Sequence, residues 1–400
     1  FIRNNIKNIT IIKGVQMKKG IITLMIFLVF IVIPIKYTYC ETTDETLKSQ
    51  QNEFKIEELI QKAHDYGGDF FENVNISELL NNAVKGEIDN STIFKQIWNL
   101  FGKEVKTNLK AIVSILVIII IGAILKTIGE NLENQGITKI IYYVQYILIV
   151  TIIMTNFSDI VKQVQDTTNN LVGFMQLLVP LLITLMTYTG SITTSTILEP
   201  IILFLINFVG NIIQTLIIPL VLLFTSLIII SKISEQVQVD KLAKFLKSGI
   251  VWFLGIVLTI FVGVVSLEGT LSSSIDGITA KTGKAVVSSA IPVVGKILGD
   301  AVDTVLGCGL ILKNAVGIIG VIIIIGICIV PIIKLAILTI SYKIVAVATQ
   351  TIADSKITGL LEEIGDVFKI LLGILCAISF MLIIGTALVL KISNGVMMYK

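Results

Sequence analysis

Charge is what this chain has least of. Charged residues make up 15 % of its 400 positions, against about a quarter in a soluble domain. There is one histidine, His64, and the four cysteines, Cys40, Cys308, Cys328 and Cys376, show no CxxC or His-linked spacing. A lone histidine without Cys, His or paired carboxylates nearby is a poor metal ligand or general base. The last three cysteines sit in apolar runs, where thiols act as small hydrophobes. The sequence therefore predicts no metal site and no disulfide framework. A Walker phosphate loop, G-x-S-x-G, HExxH and a dinucleotide fingerprint after a strand are all missing. An intramembrane protease needs a Ser/His pair or two Asp on facing helices. Asp300 and Asp303 fall on one predicted helix, and His64 lies outside the apolar runs. The expectation is a protein with no catalytic residue and no cofactor.

What is present is long apolar sequence. Hydrophobic residues reach 54 % and the mean hydropathy is +0.91. Several runs attain the ~20 residues that cross a bilayer as a helix. In lipid only helices or closed barrels satisfy their backbone. These runs are continuous rather than alternating, which excludes the barrel. The predicted class is an all-α, polytopic membrane protein.

Taken in order, residues 1–16 precede Met17 and are expected to be an upstream extension outside the native chain. Met17-Lys18-Lys19-Gly20 followed by the apolar run Ile21 to Ile35 has the form of a signal peptide over 17–40. It is either cleaved after Cys40 or retained as an anchor. Residues 41–106 carry 13 acidic against 7 basic side chains and read as an acidic, helical, extracytoplasmic domain. Ile56, Leu59 and Ile60 share one face, and Ile76, Leu79, Leu80 and Val84 share another. Tyr66-Gly67-Gly68 breaks the chain between them, and Ser77 is a candidate cap for the second helix. Ile93 to Phe101, with Trp98, reads as an interfacial helix.

Spans are expected at Ala111 to Leu125, Ile140 to Met154 and Leu171 to Tyr188. Ile197 to Ser231 is too long for one span, and Asn207, Gly210, Asn211, Gln214 and Pro219 stand near its middle. A helical hairpin with a polar tip fits it better than a kinked helix. This gives five spans over 107–231, a basic cytoplasmic loop at 232–247, and four spans over 248–400. About nine spans then place Lys241, Lys244, Lys247, Lys391 and Lys400 all in the cytoplasm, as the positive-inside rule asks. Glu362, Glu363 and Asp366 read as a solvated acidic face.

The stretch 281–320 is singled out by its charges, Lys281, Lys284, Lys296, Asp300, Asp303 and Lys313, between apolar runs. Gly295, Gly299, Asp303 and Gly307 recur every four residues and form one helical stripe. Glycine there lets another helix approach closely in lipid. Ionisable residues at membrane depth are also functional candidates. The candidate polar path or packing set is therefore Asn207, Asn211, Gln214, Gly295, Lys296, Gly299, Asp300, Asp303, Gly307, Lys313, Lys334 and Lys343.

A resemblance rests on the order of short motifs. They are Thr282-Gly283-Lys284, Pro292-Val293-Val294-Gly295, Asp300-Ala301-Val302-Asp303-Thr304-Val305 and Leu312-Lys313-Asn314, with Gly317, Gly320, Pro331, Lys334 and Lys343 following. With the signal peptide, the acidic segment and the many spans, the chain from Met17 on resembles the stage III sporulation protein AE family of spore-forming Firmicutes. The resemblance implies a multi-pass subunit in the mother-cell membrane facing the forespore. It would belong to a channel or export apparatus needed for late forespore gene expression. The implied partners are membrane lipid, other stage III sporulation proteins of the same operon, namely an ATPase and ring-forming components, and a forespore ring protein. No nucleic-acid partner is expected, and homo-oligomerisation is left open. The alternatives are an autonomous permease-type transporter and a membrane scaffold for partner proteins. The resemblance carries no catalytic residues.

Overall fold

The computed structural model describes residues 56–71, 74–85, 90–131, 135–233, 240–290 and 294–394, with only the helical backbone over 268–290 and 294–306. The expected extension (1–16), the expected signal peptide (17–40) and the residues up to 55 lie outside the described residues. Every regular element among the described residues is helical.

Two short helices come first. Helix α1 (Ile56–Gly67) buries Ile56, Leu59 and Ala63 at helical spacing. It gives way to a 3-10 turn, Gly68–Phe70. Gly68 has φ +47°, a left-handed conformation that glycine adopts without a Cβ clash. Helix α2 (Ile76–Lys85) buries Ile76, Leu80 and Ala83. Its N-terminus is capped by Asn75, whose Oδ1 accepts from the Glu78 amide at 3.2 Å, and not by Ser77.

Six long rods follow. They are α3 (Asn90–Asn131), α4 (Gln135–Tyr188), α5–α6 (Ile192–Ile212 and Ile218–Ile233, joined by a π turn at Ile213–Ile217), α7 (Asp240–Ala290), α8 (Val294–Thr349) and α9 (Ser355–Asn394). Each contains a helix long and apolar enough to cross a membrane. Against the nine spans expected, six helices among the described residues have that length and composition. The stretches 140–154 and 171–188 are the two apolar ends of α4, a single helix of 54 residues, about 81 Å long. Its polar centre turns nowhere. The hairpin expected at Ile197 to Ser231 does not form either. Pro219 has no N–H to offer the Thr215 carbonyl, and the π turn just before it absorbs that defect without reversing the chain.

Side-chain contacts fix how the rods run. On α3, Gly122 lies against Gln145 of α4 and Gly129 against Thr138, so the two are antiparallel. Between α4 and α8, Asn156 meets the Tyr342 hydroxyl at 3.5 Å, Leu178 fills the space beside Gly320, and Tyr188 lies beside Gly309. That pair too is antiparallel. Helix α9 runs back along α8, with Ser379 on Cys328 at 2.8 Å and Leu390 on Gly317. Helix α7 runs parallel to α9, since Lys247 meets Asp366 and Phe261 meets Gly385. The reversal between α4 and α5 is made by Gly190 at φ +91°, with Ser191 N–H bonded to Met186 O at 3.0 Å.

Two ends result. The C-termini of α3, α6 and α8 and the N-termini of α4, α7 and α9 gather at one. The C-terminus of α9 lies at the other, so Lys391 and Lys241 occupy opposite ends. The acidic segment is helical and joins the bundle. Its α1 and α2 pack on α4 and α8 within the common core, and residues 90–106 are the first turns of α3.

Candidate functional site

The polar residues of the middle of the rods converge on one seam. The Gln176 amide on α4 donates to Asn207 Oδ1 on α5 at 2.7 Å. Two turns further along, Gln214 donates to Asn169 of α4 from inside the π turn. Between these bonds Gly210 leaves room for Val172, which occupies the space a Cβ would need. Asn211 lies on the same stretch, exposed, with its backbone oxygen taken by the Thr215 hydroxyl at 2.7 Å. Asn207 and Asn211 stand at the centre of a rod of 42 residues, Ile192–Ile233. Amides in hydrocarbon must find partners, and Asn207 finds one across the helix pair in Gln176. The outer sides of Asn169, Gln176, Asn207 and Asn211 remain exposed on the bundle surface.

A second group of polar side chains ties the basic end together. Lys247 of α7 and Lys343 of α8 reach the two oxygens of Asp366 on α9, at 2.5 and 2.6 Å. The expectation of a solvated acidic face is corrected there: the Asp366 side chain is 25 % exposed and shared by two lysines. Lys232 of α6 pairs with Glu363 at 2.9 Å. Two tyrosines of α4 hold the end of α6: Tyr142 donates to Lys232 O at 2.8 Å and Tyr146 to Ile229 O at 2.6 Å. Lys126 of α3 lies 3.9 Å from Asp354, which also caps α9 through the Lys356 amide. Five rods are thus joined by ion pairs at this end, with the pairs half-buried, and α4 joins them through its two tyrosines.

The sequence-derived residues separate into three groups. Asn207 and Gln214 meet α4 at the seam, and Asn211 lies exposed beside them. Lys343 belongs to the ion cluster at the basic end, Lys334 is half-buried on α8 between the two groups, and Lys313 is fully buried nearer the other end. Gly307 lies on α8 with open space where a Cβ would be. Gly295, Lys296, Gly299, Asp300 and Asp303 lie on the α8 backbone, in one helix with Gly307, and their side chains lie outside the described residues. The structure does not bring Asn207 and Lys343 to one place. Residues missed from sequence are Asn169 and Gln176, hidden in a long helix with many polar positions, and Lys247 with Asp366. For the latter pair the signal was available: a basic cluster at 232–247 and an acidic one at 362–366. Among the described residues no group of three or more His, Cys, Asp or Glu is placed to hold a metal ion.

Comparison with known proteins gives one consistent result. The family described as stage III sporulation protein AE matches residues 74–393. The chain is 30 % identical over 306 residues to "Stage III sporulation protein AE" of Bacillus subtilis (strain 168), covering 76 % of this chain and 77 % of that protein. No solved structure matches.

Proposed function

This chain belongs to the stage III sporulation protein AE family, and from that premise we propose that it is a membrane subunit of the channel or export apparatus between mother cell and forespore. In this reading it sits in the mother-cell membrane facing the forespore and supports late forespore gene expression. Its partners are the ATPase and ring-forming proteins of the same operon and a forespore ring protein. It performs no catalytic step; its work is to hold a polar passage in an apolar membrane.

The observation that supports the reading is the seam. Asn169, Gln176, Asn207 and Asn211 expose amides on the outer surface of the bundle, at the centre of the α5–α6 rod. Amides facing hydrocarbon leave hydrogen-bonding groups unsatisfied, at several kcal/mol each. A face of this kind is stable against water or against a polar partner helix. The π turn beside it fits the same picture, since such turns concentrate at functional positions. The charged ends, tied by Asp366 and Glu363, would keep the rods in register around it.

The test separates a subunit from an autonomous permease. Purified chain reconstituted alone should move no solute, and Gln214→Leu with Asn211→Leu should abolish late forespore reporter expression at unchanged protein level. Solute flux by the chain alone would transfer it to the permease class. Normal reporter expression in the double variant would remove the seam from the path.

A further inference from the structure

Gln145 on α4 holds a buried acceptor that no other described residue uses. The residue is 9 % exposed. Its carboxamide lies against Gly122 of α3, in the space a Cβ would occupy. Nε2 donates to the Ile118 and Ile119 carbonyls, each at a long 3.5 Å. Among the described residues no donor reaches Oε1. Buried polar atoms normally find a partner, so this oxygen calls for a donor from outside the chain.

Gln145 lines an open cleft of about 360 Å³ at the basic end, a size at which ligand sites begin. The cleft lies between the C-terminal part of α3, the first turns of α4 and the turn joining α8 to α9. Lys126, Thr138, Tyr142 and Asp354 share its walls. Asp354 brings a second open acceptor. Its Oδ1 takes the Lys356 amide at 2.9 Å, whereas Oδ2 stands 3.9 Å from Lys126 Nζ, beyond hydrogen-bond length. The Tyr142 ring already attracts a cation, since Lys356 Nζ lies 5.7 Å from its centroid.

We propose that this cleft binds a small zwitterion, whose primary ammonium donates to Gln145 Oε1 and Asp354 Oδ2 and whose anionic group pairs with Lys126. An ammonium carries three donors, and the cleft offers it two open acceptors and an aromatic wall. A plain anion would meet Asp354 and leave the Gln145 oxygen unused. A plain cation would sit against Lys126. The apolar wall of Ala123 and Ile141 suits the short carbon link between the two charges. This chemistry has two sources, a phosphoethanolamine lipid headgroup and a free α-amino acid. The site is separate from the polar path: Gln145 and Asn169 stand about 36 Å apart along α4. Its failure would leave the reading of the seam untouched.

The experiment uses the full chain purified in detergent and has two arms. In the soluble arm, glycine and O-phosphoethanolamine are titrated against ethanolamine and inorganic phosphate. In the lipid arm, native mass spectrometry compares retention of phosphatidylethanolamine with that of phosphatidylcholine, which has the same charges but no N–H donor. The proposal expects about a tenfold preference for the zwitterion over its halves, or for phosphatidylethanolamine over phosphatidylcholine. The arm that shows the preference names the source. Gln145→Leu should remove the preference. Lys126→Gln, at a half-exposed position, should weaken binding about tenfold and serves if Gln145→Leu fails to accumulate. No preference in either arm overturns the site and leaves the cleft to water. A preference that survives in the accumulated variants also overturns it, because the ligand then binds elsewhere.

Discussion

Lys343 and Asp366 stand 2.6 Å apart on neighbouring antiparallel helices, and Lys247 takes the other carboxylate oxygen from a third. One acid holds two bases from different rods, so its removal leaves two partly buried ammonium groups without that partner. Asp366→Asn should destabilise the chain by about 1–3 kcal/mol, read as a lower melting temperature in detergent. Pairing it with Lys343→Met should recover part of the loss. An unchanged melting temperature would show that the cluster is solvent-screened.

Glycine contacts give a second prediction. Gly320→Val pushes a side chain into Leu178, and Gly317→Val into Leu390. Overpacking of this kind costs about 1–3 kcal/mol, so both variants should accumulate poorly. Gly102→Ala and Gly255→Ala meet nothing within 4 Å and should accumulate as the parent chain does. Equal accumulation of all four would contradict the helix register.

The topology gives a third. Single cysteines at Lys241 and at Lys391 should fall on opposite sides of the membrane to an impermeant thiol reagent, because six rods separate the ends differently from nine spans. Labelling of both from one side would restore the hairpin at 197–231.

The class was legible in the sequence because continuous apolar runs at low charge leave the backbone no other way through lipid. The family was legible through the order of motifs around 281–343. The count of rods was not. A polar interval reads as a loop when its partners are unknown, and Asn169 and Gln176 of α4 are the partners of Gln214 and Asn207. Asn169 and Gln176 lie about 45 and 31 residues from the amides they meet, a separation that periodicity does not encode. Lys343 was visible as a charge in an apolar run, but its partner Asp366 was read as solvated because it stands among other acids.

The seam should respond to chemistry rather than to size. Asn207→Leu keeps the branched shape and removes the acceptor that Gln176 uses, a loss of about 1 kcal/mol. That is too little to unfold the bundle. Accumulation should stay near normal while sporulation falls, and Asn207→Gln should retain part of it. Loss of the protein itself in Asn207→Leu would make the bond structural only.

The most direct measurement is the water accessibility of Asn211→Cys, in a chain otherwise free of cysteine, during sporulation. The polar-path account predicts rapid reaction with a charged, membrane-impermeant thiol reagent and a fall in late forespore gene expression once the site is modified. A cysteine at position 211 that stays unmodified while a control at Lys241 or Lys391 reacts would contradict it.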